Sequence, residues 1–367
     1  MNVKSTKFGG LVALGAVLLL AGVPALAQKK PGGGTTSGCS AVTGAPAFAY
    51  SIRSGKSANP QIYVSDASGA CSKFVFGLDA GAFYPRPHSV FFRMLPTVTN
   101  GVAVGRLATY DQIKGLVLAE FKVAVDRPGM NVSDIATYVL RPPAFGPTWP
   151  ARTAISQDGS RVAYVEADYF GGYFDLEIYV YDIAAYLDDP EGYAPTLVYS
   201  EAKNEHDLST PRWGADGNTL YLERFKNGNS INPSIARLVD KGSGVFELQN
   251  LVDPEGPRLA LFDVQSGNDG HDVVVFGEST SSAPYCYLLA TATCNSEGAC
   301  TKTFTGARVS FYTSAESADD PTRVLTQPVA RRDCVPSATI VRTEAEAGGT
   351  ATVEPLVSKG EWPSSAQ

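Results

Sequence analysis

Two groups of side chains in this 367-residue sequence have chemistry to offer. The first is Glu205-His206-Asp207, with His88 as a second imidazole. Imidazole beside carboxylates suits acid–base work or a first-row metal. The plainer reading is two solvated loop histidines, since each stands singly in a polar stretch. The third histidine, His271, follows Asp269-Gly270 and precedes Asp272. Both Asp residues could help hold calcium, but no Glu stands where such a loop closes, and a Gly-rich turn is preferred. The second group is Tyr169-Phe170-Gly171-Gly172-Tyr173-Phe174, four aromatics beside glycine. Set in a turn, they serve either as a binding surface for a protein or sugar or as a cap folded back over the core.

Other catalytic patterns are missing. No G-x-S-x-G and no H-E-x-x-H occurs. Gly55-Lys56-Ser57 resembles the end of a phosphate loop, but the position that requires glycine holds Tyr50. A net charge of −7 and a pI near 5.1 exclude a nucleic-acid partner, because no basic stretch displaces phosphate counterions. No cofactor is expected.

Residues 1–27 read as a signal peptide for the Sec route of a bacterium. Lys4 and Lys7 precede the apolar run Leu11–Leu20, and Ala25-Leu26-Ala27 forms the cleavage site. The expected location is periplasmic or secreted, with no membrane span after cleavage. Six cysteines fit disulfides in an oxidising compartment. Proximity pairs Cys39 with Cys71 and Cys294 with Cys300, leaving Cys286 for Cys334; their irregular spacing, away from histidine, disfavours zinc. Residues 28–38 form a Gly-rich flexible leader, 39–357 the folded domain, and 358–367 a loose tail.

The elements that must position these groups announce themselves by repetition. Ser156-Gln157-Asp158-Gly159 precedes a strand and then Glu177-Ile178-Tyr179-Val180-Tyr181-Asp182. The phrase returns at Gly214-Ala215-Asp216-Gly217 and Ser234–Asp240, and its second half appears early as Gln61-Ile62-Tyr63-Val64-Ser65-Asp66. Asp158 to Asp216 is 58 positions and Asp182 to Asp240 again 58. Short alternating strands with Asp-Gly turns at this period predict an all-β propeller of four-stranded antiparallel blades. The second strand (B) of successive units begins near 47, 102, 161, 219 and 272. Arg308–Thr313 and Arg323–Leu325 are assigned to the end of the fifth unit. Ala338–Thr343 and Thr350–Val357 build a sixth that shares strands with the N-terminus, because an open ring exposes edges. Six blades are expected, with five or seven as alternatives.

At these residues the chain resembles the TolB-like propellers, with their WD40-like PD40 repeats. Their blades carry a W-S-P-D-G turn and an I-Y-V-x-D strand. Trp213-Gly214-Ala215-Asp216-Gly217 and Ser156–Gly159 copy the turn, and residues 61–66 and 177–182 copy the strand. The α/β domain that precedes the propeller in TolB has no room before the first strand pair.

Propeller geometry brings the B–C loops (53–60, 167–175, 224–233) and the D–A loops (84–88, 144–149, 204–207) to one rim. The expected binding residues there are Arg53, Lys56, Tyr84, Trp149, Tyr169, Phe170, Tyr173, Phe174, Arg224 and Lys226. The function expected is a non-catalytic module that presents this rim to a protein or glycan. The alternative is a metal-assisted polysaccharide lyase or hydrolase at the channel mouth, built from His88, Glu205, His206 and Asp207. The sequence is silent on oligomeric state.

Overall fold

The structure, a computed structural model, describes residues 39–52, 59–78, 90–111, 113–141, 153–170, 173–201, 206–226, 234–242, 246–252, 259–266, 271–279, 287–295, 299–309, 313–315, 323–327, 339–345, 351–358 and 361–365. Its strands form six four-stranded antiparallel sheets. The first contains β1 (Phe48–Ile52), β2 (Gln61–Ser65) and β3 (Ser72–Gly77). The second is β4 (Phe91–Thr99), β5 (Val102–Asp111), β6 (Gly115–Ala124) and β7 (Asn131–Arg141). The third is β8 (Thr153–Ile155), β9 (Arg161–Phe170), β10 (Tyr173–Asp182) and β11 (Thr196–Glu201). The fourth is β12 (His206–Trp213), β13 (Thr219–Lys226), β14 (Ser234–Asp240) and β15 (Phe246–Val252). The fifth is β16 (Leu259–Ser266), β17 (Asp272–Ser279), β18 (Tyr287–Cys294) and β19 (Cys300–Val309). The sixth is β20 (Thr313–Ala315), β21 (Arg323–Thr326), β22 (Ile340–Ala345) and β23 (Ala351–Val357).

The first sheet is completed from the other end of the chain. β24 (Glu361–Ser365) pairs antiparallel with β1 and supplies the inner strand that blade one lacks. The loose tail expected from residue 358 is therefore corrected: a strand with an unpaired edge gains its hydrogen bonds by capturing the far terminus. The boundary of blade five also moves. Thr313–Ala315 and Arg323–Thr326 pair with each other and with β22, so they open blade six. Arg308 and Val309 end β19 and stay in blade five as expected; only Thr313 and Arg323–Leu325 change blade, because strand pairing, not nearness along the chain, decides membership.

Inner strands β4, β8, β12, β16, β20 and β24 follow one another around a single axis. The described apolar core lies between blades. Val165 and Ile178 of blade three pack with Trp213, Leu220 and Leu222 of blade four, while Tyr164 and Val162 pack with Tyr110 and Leu116 of blade two. Alternation along β9 thus serves two interfaces rather than a core and a solvent face, so that Val162, Ala163, Tyr164 and Val165 are all buried.

The repeated phrase has a plain physical content. Asp158 Oδ1 accepts from Ser160 N at 3.0 Å, and Asp216 Oδ1 from Asn218 N at 2.8 Å, each closing a turn. Gly159 and Gly217 follow with φ of +71° and +63°, the left-handed region glycine enters freely. The strand-ending Asp of the second phrase caps what comes next. Asp66 accepts from Cys71 N at 2.7 Å. Asp182 accepts from Ala185 N at 2.9 Å and so starts α1 (Ile183–Asp188), a six-residue helix too short to show a periodic stripe.

Cys39–Cys71 and Cys294–Cys300 are disulfides, as proximity suggested. Cys286 and Cys334 lie outside the described residues. Among the described residues no helix is long and apolar enough to cross a membrane.

Candidate functional site

Of the expected rim residues, Arg53, Lys56, Tyr84, His88, Trp149 and Glu205 lie outside the described residues. The others are placed differently from expectation. Residues 167–175 are not a loop. β9 and β10 run on until Gly171 and Gly172 alone separate them, pairing Tyr169 with Phe174 and Phe170 with Tyr173. Aromatic residues favour extended backbone, and a two-residue Gly-Gly connection suits a tight hairpin. His206 and Asp207 likewise stand in a strand. Their Cα partners are Lys226 and Phe225, so β12 and β13 zip up to the rim and take Arg224 and Lys226 with them.

Arg224 is committed to the fold. Its Nε and Nη2 donate to Glu201 Oε2 and Oε1, both at 3.1 Å, joining blade four to the outer strand of blade three. Glu201 is 4% exposed. Tyr199 Oη also donates to Glu201, at 2.9 Å. Burial and that bond push the Tyr199 phenol up to about 12. A similar group sits one interface earlier, where Arg141 pairs with Glu166 and lies over the Tyr179 ring.

Asp272 is committed too. It accepts from Tyr221 Oη at 2.6 Å and from Ala215 N at 2.8 Å, both of the preceding blade. Standing at the start of β17, Asp272 acts as a staple between blades rather than as a ligand. Among the described residues no group of three or more His, Cys, Asp or Glu is arranged to hold a metal.

The propeller axis holds polar groups that the sequence reading passed over. Arg93, Arg212 and Asp263 stand on inner strands β4, β12 and β16 and line a central cavity of about 20 Å³ with Phe91, Trp213 and Ser314. They are 6%, 7% and 4% exposed. The pairing register slips between Ser209 and Arg212 and between Leu261 and Asp263, and such bulges re-aim side chains. Pro211 sits in the first slip, tolerated because an inner strand is a sheet edge. Arg212 donates Nε to Phe262 O at 2.7 Å and Nη1 to Pro211 O at 2.8 Å, with Phe91 beneath it at 4.6 Å. Asp263 Oδ1 accepts from Val264 N at 2.9 Å, and Oδ2 from Gln265 Nε2 at 3.2 Å and Ser314 Oγ at 2.8 Å. Burial lowers both guanidinium pKa values, Arg212 to about 10, against the pull of Asp263. The signal was available: Phe92-Arg93, Arg212-Trp213 and Phe262-Asp263 each set a charge against an aromatic in an innermost strand.

Six four-stranded antiparallel sheets around one axis, closed by a strand from each terminus, define a six-bladed β-propeller. No protein-family model matches the chain, and no curated protein matches it. Among solved structures, it is similar to TolB of Acinetobacter baumannii at 15% identity and a TM-score of 0.49, covering 88% of this chain and 66% of that one. It is also similar to a puromycin-hydrolyzing peptidase of Mycobacterium tuberculosis at 15% identity and a TM-score of 0.42, covering 89% and 56%. The propeller domain of the trilobed protease of Pyrococcus furiosus matches at 12% identity and a TM-score of 0.32, covering 73% and 85%. The chain thus spans just under two thirds of the TolB structure and just over half of the peptidase.

Proposed function

We propose that this protein is an exported, non-catalytic propeller that presents its B–C and D–A rim to a protein or glycan partner. The observation that carries the reading is a difference in strand length within blade three. β9 and β10 are ten residues each, whereas β8 and β11 are three and six. β8 pairs with β9 only as far as Tyr164, and β11 with β10 only as far as Leu176. Among the described residues, Asp168–Phe170 and Tyr173–Asp175 pair only with each other, as a two-stranded ribbon. A bare two-stranded ribbon is marginal in water. Four of its six residues are aromatic, the residue class that anchors interfaces. Export is supported by the two disulfides and by the leader-like residues 1–27.

The test replaces Tyr169, Phe170, Tyr173 and Phe174 with Ser and compares both proteins on a glycan array and in capture from a periplasmic extract. A ligand retained by the native protein and lost by the variant, at an unchanged melting temperature, supports the reading. Equal retention, or loss of the fold, assigns the ribbon to internal packing. Thiol titration of the denatured mature protein tests export, and six free thiols would sink it.

A further inference from the structure

We propose that the partner taken by the blade-three ribbon is a protein that presents an arginine, held between a pair of acidic residues and a pair of aromatics. The inference rests on the rim reading above and names the chemistry of the partner. Register supplies the pattern. Tyr164 pairs with Tyr179, Glu166 with Glu177, Asp168 with Asp175 and Phe170 with Tyr173, every second rung of β9 and β10. Rungs two apart share a face of a hairpin, so the aromatic pairs and the acidic pairs belong to one side. That side is turned to blade two, because Tyr164 stacks on Tyr110 with ring centroids 6.1 Å apart.

The lower half of this ladder shows what such a face holds. Arg141, the last residue of β7, pairs with Glu166 and lies over the Tyr179 ring at 5.7 Å. Tyr179 Oη donates to Glu177 Oε2 at 2.6 Å. Even so, among the described residues Glu166 Oε2 is buried without a hydrogen-bond donor. The upper half repeats the composition, an acidic pair beside an aromatic pair, where the ribbon pairs with no third strand among the described residues. Like charges directly opposite each other destabilise a strand pair. Lys114, in the β5–β6 turn, is the other basic residue of blade two on this rim, and residues 142–151 contain neither Lys nor Arg. Four acidic residues thus meet two cations from that blade, and a basic partner restores the balance. Arginine suits the place better than lysine, since a planar guanidinium binds a carboxylate by two bonds and also stacks on an aromatic ring.

The experiment measures fluorescence anisotropy of a labelled, end-blocked Gly-Arg-Gly-Arg-Gly peptide with the mature protein at low salt. Replacing both arginines of the peptide by lysine is expected to weaken binding about 3–10-fold, and Asp175→Asn about 5–10-fold. Glu191→Gln removes the same charge from the exposed β10–β11 connection on the opposite face, and is expected to change binding less than about twofold. Without peptide, Asp175→Asn is expected to melt about 1–2 °C above the native protein, because half of a like-charge pair is gone. Binding undiminished in Asp175→Asn overturns the proposal, as does an equal loss in Glu191→Gln. So does a midpoint that stays or falls in Asp175→Asn, which shows the pair already compensated within the protein. Calcium binding by calorimetry that Asp175→Asn abolishes, with no peptide bound, assigns the face to a metal instead. If Asp175→Asn retains a ligand that the four-serine variant loses, the rim reading stands and the arginine alone is refuted.

Discussion

Tyr221 Oη donates to Asp272 Oδ2 across 2.6 Å, 51 positions along the chain and one blade further round the ring. Ala215 N holds the other carboxylate oxygen at 2.8 Å. The approach depends on Gly214, where a Cβ would stand 2.8 Å from Oδ2. Comparable links join other blades on the same face: Arg106 donates to Gly159 O at 2.7 Å, and Arg161 to Asn218 Oδ1 at 3.2 Å while lying over the Trp213 ring. The repeat period is therefore the distance over which one blade grips the turn of the next.

Removing the acceptor leaves a buried phenol and a backbone N–H unsatisfied. Asp272→Ala is expected to lower stability by about 1–3 kcal/mol in urea unfolding, and Asp272→Asn, which keeps one acceptor, by less. Burial, outweighing the bonds from Tyr221 and Ala215, holds the Asp272 carboxyl above its ordinary 3.8. The folded state thus binds this proton more tightly than the unfolded one. The contribution of Asp272 is most favourable below pH 3.8 and declines as pH rises through its folded value. Asp272→Asn is expected to remove that slope, and an unchanged slope would assign it to other carboxylates.

The Tyr199–Glu201–Arg224 group makes an alkaline prediction. The Tyr199 phenol is pushed from 10 to about 12, first by burial and then by its bond to Glu201. Its contribution to stability is fully present below pH 10 and is lost as pH rises towards 12, because the unfolded chain releases the proton first. In Glu201→Gln this phenol is expected to titrate nearer 10, read as phenolate absorbance. Arg224→Met leaves Glu201 buried without its guanidinium and is expected to cost about 3–5 kcal/mol by urea unfolding.

Ring closure rests on β24. A chain ending at Ser358 loses the strand that covers β1 and supplies Ser364 to Phe92. It is expected to lose its single cooperative thermal transition and to elute as larger species in size-exclusion chromatography, since an uncovered strand edge pairs with other chains. A monomer that melts like the full chain would show that five complete blades and a three-stranded first blade hold by themselves.

Local chemistry was legible in the residues themselves. Asp-Gly turns, period-2 alternation and the recurring strand-ending Asp are short-range signals, because a turn or a strand is decided by neighbours within a few positions. They placed the start of strand B in five blades within a residue of where pairing begins, at Phe48, Val102, Arg161, Thr219 and Asp272. The two near disulfides were legible for the same reason. What fails locally is any feature that depends on a partner far along the chain. Glu361–Ser365 reads as a loose tail until β1 offers it an edge. Tyr169–Phe174 and His206-Asp207 read as loops until their cross-strand partners extend the pairing. Arg93, Arg212 and Asp263 are single charges in apolar strands, and only the closure of six inner strands round one axis brings them to one cavity. Sequence alone therefore determined the repeating unit and pointed to six of them; which strand closes the ring, and what the blades enclose, was decided by long-range pairing.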